Sequence, residues 1–415
     1  MRRPLGRFLA LGGLLFIVTI TLVPVPQQSV ASQITPLWCL VCGDYGGVDV
    51  INNVLLFIPF GFGLRLLGLQ TRPVVAIGAS LSLVIELLQW GVIPGRDASL
   101  SDVLTNTLGS WLGAVVGSYL TTLLKPNPAH ALRLAVWGGV IWLGVQIATA
   151  VLLQPWAPSG ELRGAWARSV YGRAPFKGQV VSALLSGWPL QASSEPMSSE
   201  VATQIRAGRI HLEVQLLSGR RMGLWSPIVE LLGPHGAVLA IHALGRDLGF
   251  QPPMRSSSVR LGRPALRLPE ALPRKPGIRV QIAAGEGRST IWAEWTIAGI
   301  KHTRVLALSP SFGWSLLTPF RYAYGREVRF ITAIWIAGLL APIGYWSGYA
   351  PGGHRVRLGA LLLLVFAGLA LVPLVVGYPP VHWTEWAAAL LGLAAGWAGY
   401  RFAAYFEKDA TLLPP

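Results

Sequence analysis

Eight apolar runs, each close to the length that a helix needs to cross a bilayer, constrain this sequence more than any other feature. A transmembrane helix needs about 20 consecutive, mostly apolar residues. Only 13% of the residues are charged, against about 25% in soluble globular domains. The sequence therefore predicts a polytopic α-helical membrane protein whose spans lie near residues 8–25, 51–69, 74–93, 102–124, 134–154, 328–347, 358–378 and 383–404.

The positions of lysine and arginine predict the orientation of these helices. Cytoplasmic loops of membrane proteins carry an excess of both residues. If the N-terminus is cytoplasmic, the short outside loops hold only Arg96. We therefore expect both termini in the cytoplasm. We attribute the net charge of +16 to cytoplasmic loops of a membrane protein and not to a nucleic-acid-binding surface. The first run has an alternative interpretation as a cleaved signal peptide, since three arginines precede a short apolar stretch.

The middle of the chain lacks long apolar runs and predicts a folded aqueous domain on the outside. Ile210, Leu212, Val214 and Leu216 alternate with polar residues, which is typical of a strand buried on one face. Further short apolar runs follow at 228–232, 237–242, 278–283 and 290–297, with turn residues between them. The order of strands and turns resembles concanavalin-like and laminin-G-like domains, which implies an all-β sandwich of jelly-roll type. The predicted domains are residues 1–155 (about five helices), 156–325 (the extracytoplasmic sandwich) and 326–415 (about three helices).

Polar residues inside or beside the N-terminal helices form spaced motifs. They are N-x-x-x-F-x-P-x-G at Asn53–Gly61, E-x-x-Q at Glu86–Gln89, the lone Arg96, and D-x-x-x-N-x-x-G at Asp102–Gly109. Together these motifs resemble the VanZ-like family. The resemblance implies a bacterial inner-membrane protein related to proteins linked to resistance to the glycopeptide teicoplanin, and it implies no settled reaction.

The same polar residues are the candidate functional site, because ionisable groups at membrane depth are costly and are commonly functional. All fall at the predicted outer ends of their helices: Asp49, Asn53, Glu86, Gln89, Arg96, Asp102 and Asn106. The leading hypothesis is binding of an envelope component, such as a cell-wall precursor, glycan or anionic polymer, in addition to membrane lipids. The alternatives are an enzyme that uses Glu86 or Asp102 as acid and base, a transporter, and a purely structural polar network.

The remaining features carry weaker hypotheses. No catalytic motif is recognised, which favours a non-enzymatic role, and we expect no cofactor and no metal site. Cys39 and Cys42 are a candidate disulfide, with a redox pair as the alternative that the lack of a thioredoxin-like context disfavours. Arginines at 206, 209, 220 and 221 bracket the first strand and suit either polyanion attraction or a solvated face. The spacing of Glu385, Gly392 and Gly396 repeats that of Asp102, Gly109 and Gly113, so the last helices are interpreted as scaffold with the character of a degenerate repeat.

Overall fold

The structure is a computed structural model of the full chain. It describes residues 2–24, 38–41, 43, 45–94, 96, 98–166, 176–191, 195–220, 222–234, 236–318, 323–325 and 327–412.

Eleven α-helices lie in the described residues, and all except α7 fall at the eight predicted positions. They are α1 (Arg2–Thr21), α2 (Gly46–Leu66), α3 (Thr71–Gly91), α4 (Leu100–Ser118), α5 (Leu120–Leu124), α6 (Pro128–Leu152), α7 (Ser199–Arg206), α8 (Val328–Tyr349), α9 (His354–Phe366), α10 (Val372–Val376) and α11 (Trp383–Leu412). A π-helical turn, Ala367–Leu371, joins α9 and α10 into one rod. Local chemistry explains the starts of some helices: at α6 the Asn127 side chain accepts a hydrogen bond from the His130 N–H, and Pro128 occupies the first turn.

Within the described residues, six of these helices are long and apolar enough to cross a membrane. They are α1, α2, α3, α6, α8 and the rod His354–Val376. The α4 and α11 helices are also long, but each carries an acidic residue in its first turn and neither meets the same length and hydropathy criterion. The structure thus supports a multi-pass membrane protein, while eight spans remain a prediction.

The chain between α6 and α8 forms two β-sheets. The strands are β1 (Arg163–Trp166), β2 (Gln179–Leu185), β3 (Trp188–Pro189), β4 (Glu195–Pro196), β5 (Ile210–Leu217), β6 (Met222–Gly233), β7 (Gly236–Gly245), β8 (Asp247–Gln251), β9 (Ala265–Leu268), β10 (Arg279–Glu286), β11 (Thr290–Ile297), β12 (Ile300–Ala307) and β13 (Ala323–Tyr324). One sheet has the order β13-β9-β8-β7-β6-β1-β4 and the other β12-β11-β10-β5-β2-β3. All described pairs are antiparallel except β13 with β9.

The predicted alternation is confirmed in β5, where Ile210, Leu212, Val214 and Leu216 are buried and His211 and Glu213 are exposed. Inward residues of both sheets belong to one hydrophobic core, as in a sandwich. The short helix α7 also lies in this region and buries Val201 and Ile205, which are four residues apart, in that core. The jelly-roll topology itself stays a prediction.

The helices α8 and α11 repeat the packing of α2 and α4. The backbone of Gly109 lies directly against the Val54 carbonyl, and Gly392 lies in the same way against the Ala337 carbonyl. Gly113 contacts α2 at Ile58, as Gly396 contacts α8 at Ala341. The residue numbers in the second helix pair exceed those of their equivalents in the first by the same amount in all four cases. These glycines mark close helix packing, as small residues do in membrane bundles, and the repeat predicted for the last helices is present in their geometry.

The β domain rests directly on one end of both helix groups, which we call the outer end because the predicted topology places it outside. Ala150 of α6, Val328 of α8 and Tyr378 belong to the same hydrophobic core as the two sheets. Two 3₁₀ segments of the β domain, Arg255–Val259 and Pro310–Leu317, reach the helices. We call the second one the junction segment. Its residues Pro310–Leu316 are all buried, and it contacts α2, α6 and α8.

Candidate functional site

Two of the predicted site residues cap the end of α1. Gln89 donates a hydrogen bond of 3.0 Å to the Thr21 carbonyl. Arg96 donates to the carbonyls of Ile20 (2.8 Å) and Val23 (3.4 Å). The last carbonyls of a helix have no partner within the helix and need one from outside. These contacts therefore hold the outer end of α1 against the end of α3 and the loop that follows it.

Glu86 caps the beginning of α4. Its Oε2 atom accepts a hydrogen bond of 2.6 Å from the backbone N–H of Ser99, the residue that precedes α4. A glutamate in the third position of a helix commonly makes this bond within its own helix, whereas here a neighbouring helix supplies it. Negative charge is favourable at a helix N-terminus. Glu86 is only 6% exposed, so its carboxylate is positioned as a buried cap.

Asn106 ties α4 to α3. Its Nδ2 atom donates a hydrogen bond of 2.9 Å to the hydroxyl of Ser82, and Ser82 lies 3.4 Å from the Asp102 carbonyl. Ser82 and Asn106 are both buried. Among the described residues, the Asn106 Oδ1 atom has no hydrogen-bond partner. This part of the network holds two helices together and leaves one acceptor open.

Arg96, which also caps α1, and the three remaining predicted residues form what we call the outer patch: Asp49, Asn53, Arg96 and Asp102. Asp49 is exposed, and the other three are partly exposed. Asp102 accepts a hydrogen bond from the Asn53 side chain and lies within electrostatic range of Asp49 and Arg96. Within the described part of the chain, no hydrogen bond to the Asp49 carboxylate is seen. The outer patch therefore presents two carboxylates, an amide and a guanidinium at helix ends that the buried caps hold in place.

The seven predicted residues thus divide into two sets. Glu86, Gln89 and Asn106 are buried and make hydrogen bonds between helices, while the outer patch remains accessible. Sequence reasoning placed all seven at one end of the helices, and the structure brings them together there. It missed two supporting contacts: the Ser101 hydroxyl donates to the Leu40 carbonyl (2.7 Å), and Asn52 donates to the Leu317 carbonyl of the junction segment (3.2 Å). Both join residues far apart in the chain, and no local pattern signals them.

The second helix pair retains only part of this arrangement. Glu385 of α11 takes the place of Asp102, while Thr332 and Ile336 of α8 and Ala389 of α11 stand where Asp49, Asn53 and Asn106 are found. Glu385 is buried and accepts a hydrogen bond of 2.7 Å from Ser309, directly before the junction segment. The β domain therefore covers the outer end of the second pair.

The cysteine and metal predictions have different outcomes. Cys39 is disulfide-bonded, and Cys42, its predicted partner, lies outside the described residues. Among the described residues, no group of three or more His, Cys, Asp or Glu side chains is arranged to hold a metal ion.

Comparison with known proteins identifies the part of the chain that carries these helices. The family model VanZ/LLP1 matches residues 10–121, which includes all seven predicted site residues. A search of curated proteins and a search of solved structures both found no match. The helices α1–α4, with the capped outer end they build, are therefore a VanZ/LLP1 domain.

Proposed function

We propose that this protein binds a polar component of the bacterial cell envelope at the outer leaflet without converting it chemically. The observation that carries the proposal is the division of the polar network. Glu86 and Gln89 are committed to helix ends, while Asp49 and Asp102 remain accessible. Polar groups inside a membrane bundle need partners when they are buried. Groups that only hold helices together would therefore be expected to be buried and paired, whereas Asp49 and Asp102 are accessible.

The chemistry of the outer patch indicates the class of ligand. Its carboxylates accept hydrogen bonds from amino or hydroxyl groups, and the Arg96 guanidinium pairs with phosphate or carboxylate. A molecule with both kinds of group, such as a phosphorylated amino sugar or a zwitterionic headgroup, matches this set. The related resistance phenotype implied by the VanZ resemblance is consistent with such a target at the cell surface.

The proposal includes a topology. Eight helices span the inner membrane, both termini are cytoplasmic, and residues 156–325 form an extracytoplasmic sandwich of the concanavalin or laminin-G type between the helical domains 1–155 and 326–415. Because the β domain rests on the same helix ends as the outer patch, it lies on the side from which an envelope molecule would arrive.

Catalysis by Glu86 receives less support than binding. A general base must reach the proton it removes, and the Glu86 carboxylate is nearly inaccessible and bonded to Ser99. Asp102 is the better placed carboxylate, but the nearby Ser82 and Ser101 hydroxyls donate to backbone carbonyls, and among the described residues no metal-ligand set lies beside it.

The test is co-purification of lipids and muropeptides with the wild type, with Asp49→Asn and with Asp102→Asn, in mild detergent. We expect both variants to lose the bound molecule while the melting temperature changes little, because the shapes are retained and the residues are accessible. Glu385→Gln is the matched control, since it removes the equivalent carboxylate of the second helix pair, and it should keep the molecule. Equal recovery of the same molecules from wild type and both outer-patch variants would refute the proposal.

A further inference from the structure

A basic pocket lies at the end of the β domain that is farthest from the helices. At the near end, Ile210 of β5 pairs with Glu286 of β10, and Glu286 lies within electrostatic range of Tyr378. At the far end of the same two strands, Leu217 pairs with Arg279. Strand residues advance about 3.3 Å each, so the length of β10 separates these ends by about 23 Å.

The pocket has a volume of about 280 Å³ and three arginines in its walls. Arg220 follows β5, Arg246 lies between β7 and β8, and Arg274 lies in the loop before β10. Leu272 and Pro273 supply an apolar side. Pockets of this size hold small groups or short polymer segments.

The positive charge of this pocket is only partly neutralised. Arg246 pairs with Glu270 at 2.9 Å, and nearby Arg267 pairs with Asp247. Arg220 and Arg274 are exposed, and among the described residues neither has a carboxylate partner. The two guanidinium groups therefore remain available for an external anion.

Hydrogen bonds hold the loops that carry the arginines. The Ser218 hydroxyl donates to the Lys275 carbonyl (2.8 Å) and accepts from the Ile278 N–H (3.0 Å). The Leu272 N–H donates to the Arg246 carbonyl at 2.9 Å. Gly219 lies so close to the backbone of Lys177 that no Cβ would fit. The pocket is therefore preorganised, which lowers the entropic cost of binding.

We propose that this pocket is a second binding site, which takes a phosphate- or carboxylate-bearing polymer of the cell envelope. Guanidinium groups bind both anions through paired hydrogen bonds. The height of the pocket above the helices places it beyond the headgroups of the membrane that holds the protein, so its ligand must extend away from that membrane. The inference rests on the extracytoplasmic placement of the β domain in the proposed function.

The experiment measures binding of medium-chain polyphosphate and of poly-L-glutamate to the full-length protein in detergent, at about 150 mM salt so that unspecific attraction is screened. The variant Arg220→Gln/Arg274→Gln removes the two available cations. The control variant Arg206→Gln/Arg209→Gln removes the same charge from exposed positions at the near end. We expect the pocket variant to bind at least about tenfold more weakly, while the control binds as the wild type does. All three proteins should melt at the same temperature.

Two results would overturn the inference. Equal weakening by both variants would show that net charge, and not the pocket, attracts the polymer. Inorganic phosphate that binds the wild type as tightly as the polymer does would show a site for a small anion. The outer-patch ligand is assayed in the same preparations. A pocket variant that loses polymer binding but retains that ligand would show that the pocket binds independently of the outer patch. If the ligand is absent but the polymer remains bound, only the proposed function fails.

Discussion

Replacing Glu286 by Gln should remove a pH dependence of stability from the β domain. Glu286 ends β10 at the near end of the domain and is 2% exposed. Among the described residues, neither oxygen of its carboxylate has a hydrogen-bond partner. Burial raises the pKa of Glu286 well above its ordinary value of 4.5, and Arg263 only partly opposes this effect. The charged form is costly in the folded state because its solvation is lost.

The sign and size of the effect follow from proton linkage. A carboxyl group with a raised pKa keeps its proton in the folded state while the unfolded chain releases it. Its contribution to stability is therefore fully present below about pH 4.5 and is lost as the pH rises towards the folded-state pKa. In that window one proton separates the two states, so the free energy of unfolding falls by about 1.4 kcal/mol per pH unit. For a domain of this size that is about 3–5 °C in melting temperature per pH unit.

The assay is thermal unfolding followed by tryptophan fluorescence, from pH 5 to pH 8, with wild type and Glu286→Gln in parallel. Other titrating groups contribute equally to both proteins. The difference between the two melting curves isolates residue 286, and it should change steadily with pH in favour of the variant. Melting temperatures that run parallel across this range would show that Glu286 is ionised in the folded protein and paired with a cation, and the reasoning would be wrong.

Three further predictions concern the helices. Glu86→Ala should destabilise the helical domain by about 1–2 kcal/mol, because the start of α4 loses its cap. Glu86→Gln keeps an acceptor for the Ser99 N–H and should cost less. Equal melting temperatures for wild type and Glu86→Ala would contradict the capping role. Gly113→Ala and Gly396→Ala should each lower the melting temperature, because a Cβ at either position meets the backbone of the partner helix. Gly144→Ala is the neutral control, since a Cβ at that position meets no neighbouring atom. In intact spheroplasts, Lys275→Cys should react with an impermeant maleimide and Gly353→Cys should react only after lysis; labelling of both from outside would exclude the proposed topology.

Much of the fold was predictable because its signals are local. The helices follow from runs of apolar residues, and strands such as β5 follow from alternation over eight residues. The convergence of the polar residues was predictable as well, since alternating topology puts the end of α3 beside the beginnings of α2 and α4. The glycine spacing correctly indicated close packing in both helix pairs.

The distinction between caps and accessible groups was not predictable. Glu86 and Asp102 are both acidic residues near a helix end, and only the position of Ser99 decides that one of them is a cap. Glu286 is buried, and Tyr378, which lies within electrostatic range of it, comes from a distant loop, so nothing near residue 286 signals its surroundings. The helix α7 was also missed, because eight residues with two apolar positions make a weak periodic signal.

The position of the β domain within the repeat gives the two helix pairs different roles. In the first repeat 24 residues connect α1 to α2, and the ends of α2 and α4 keep their accessible carboxylates. In the second, the β domain occupies the equivalent connection between α6 and α8, and Ser309 binds the remaining carboxylate, Glu385. Around Glu385 the positions equivalent to Asn53 and Asn106 hold the apolar residues Ile336 and Ala389. The junction segment contacts α2 as well as α8, so the domain that covers the end of the second helix pair also packs against the helix that carries Asp49 and Asn53.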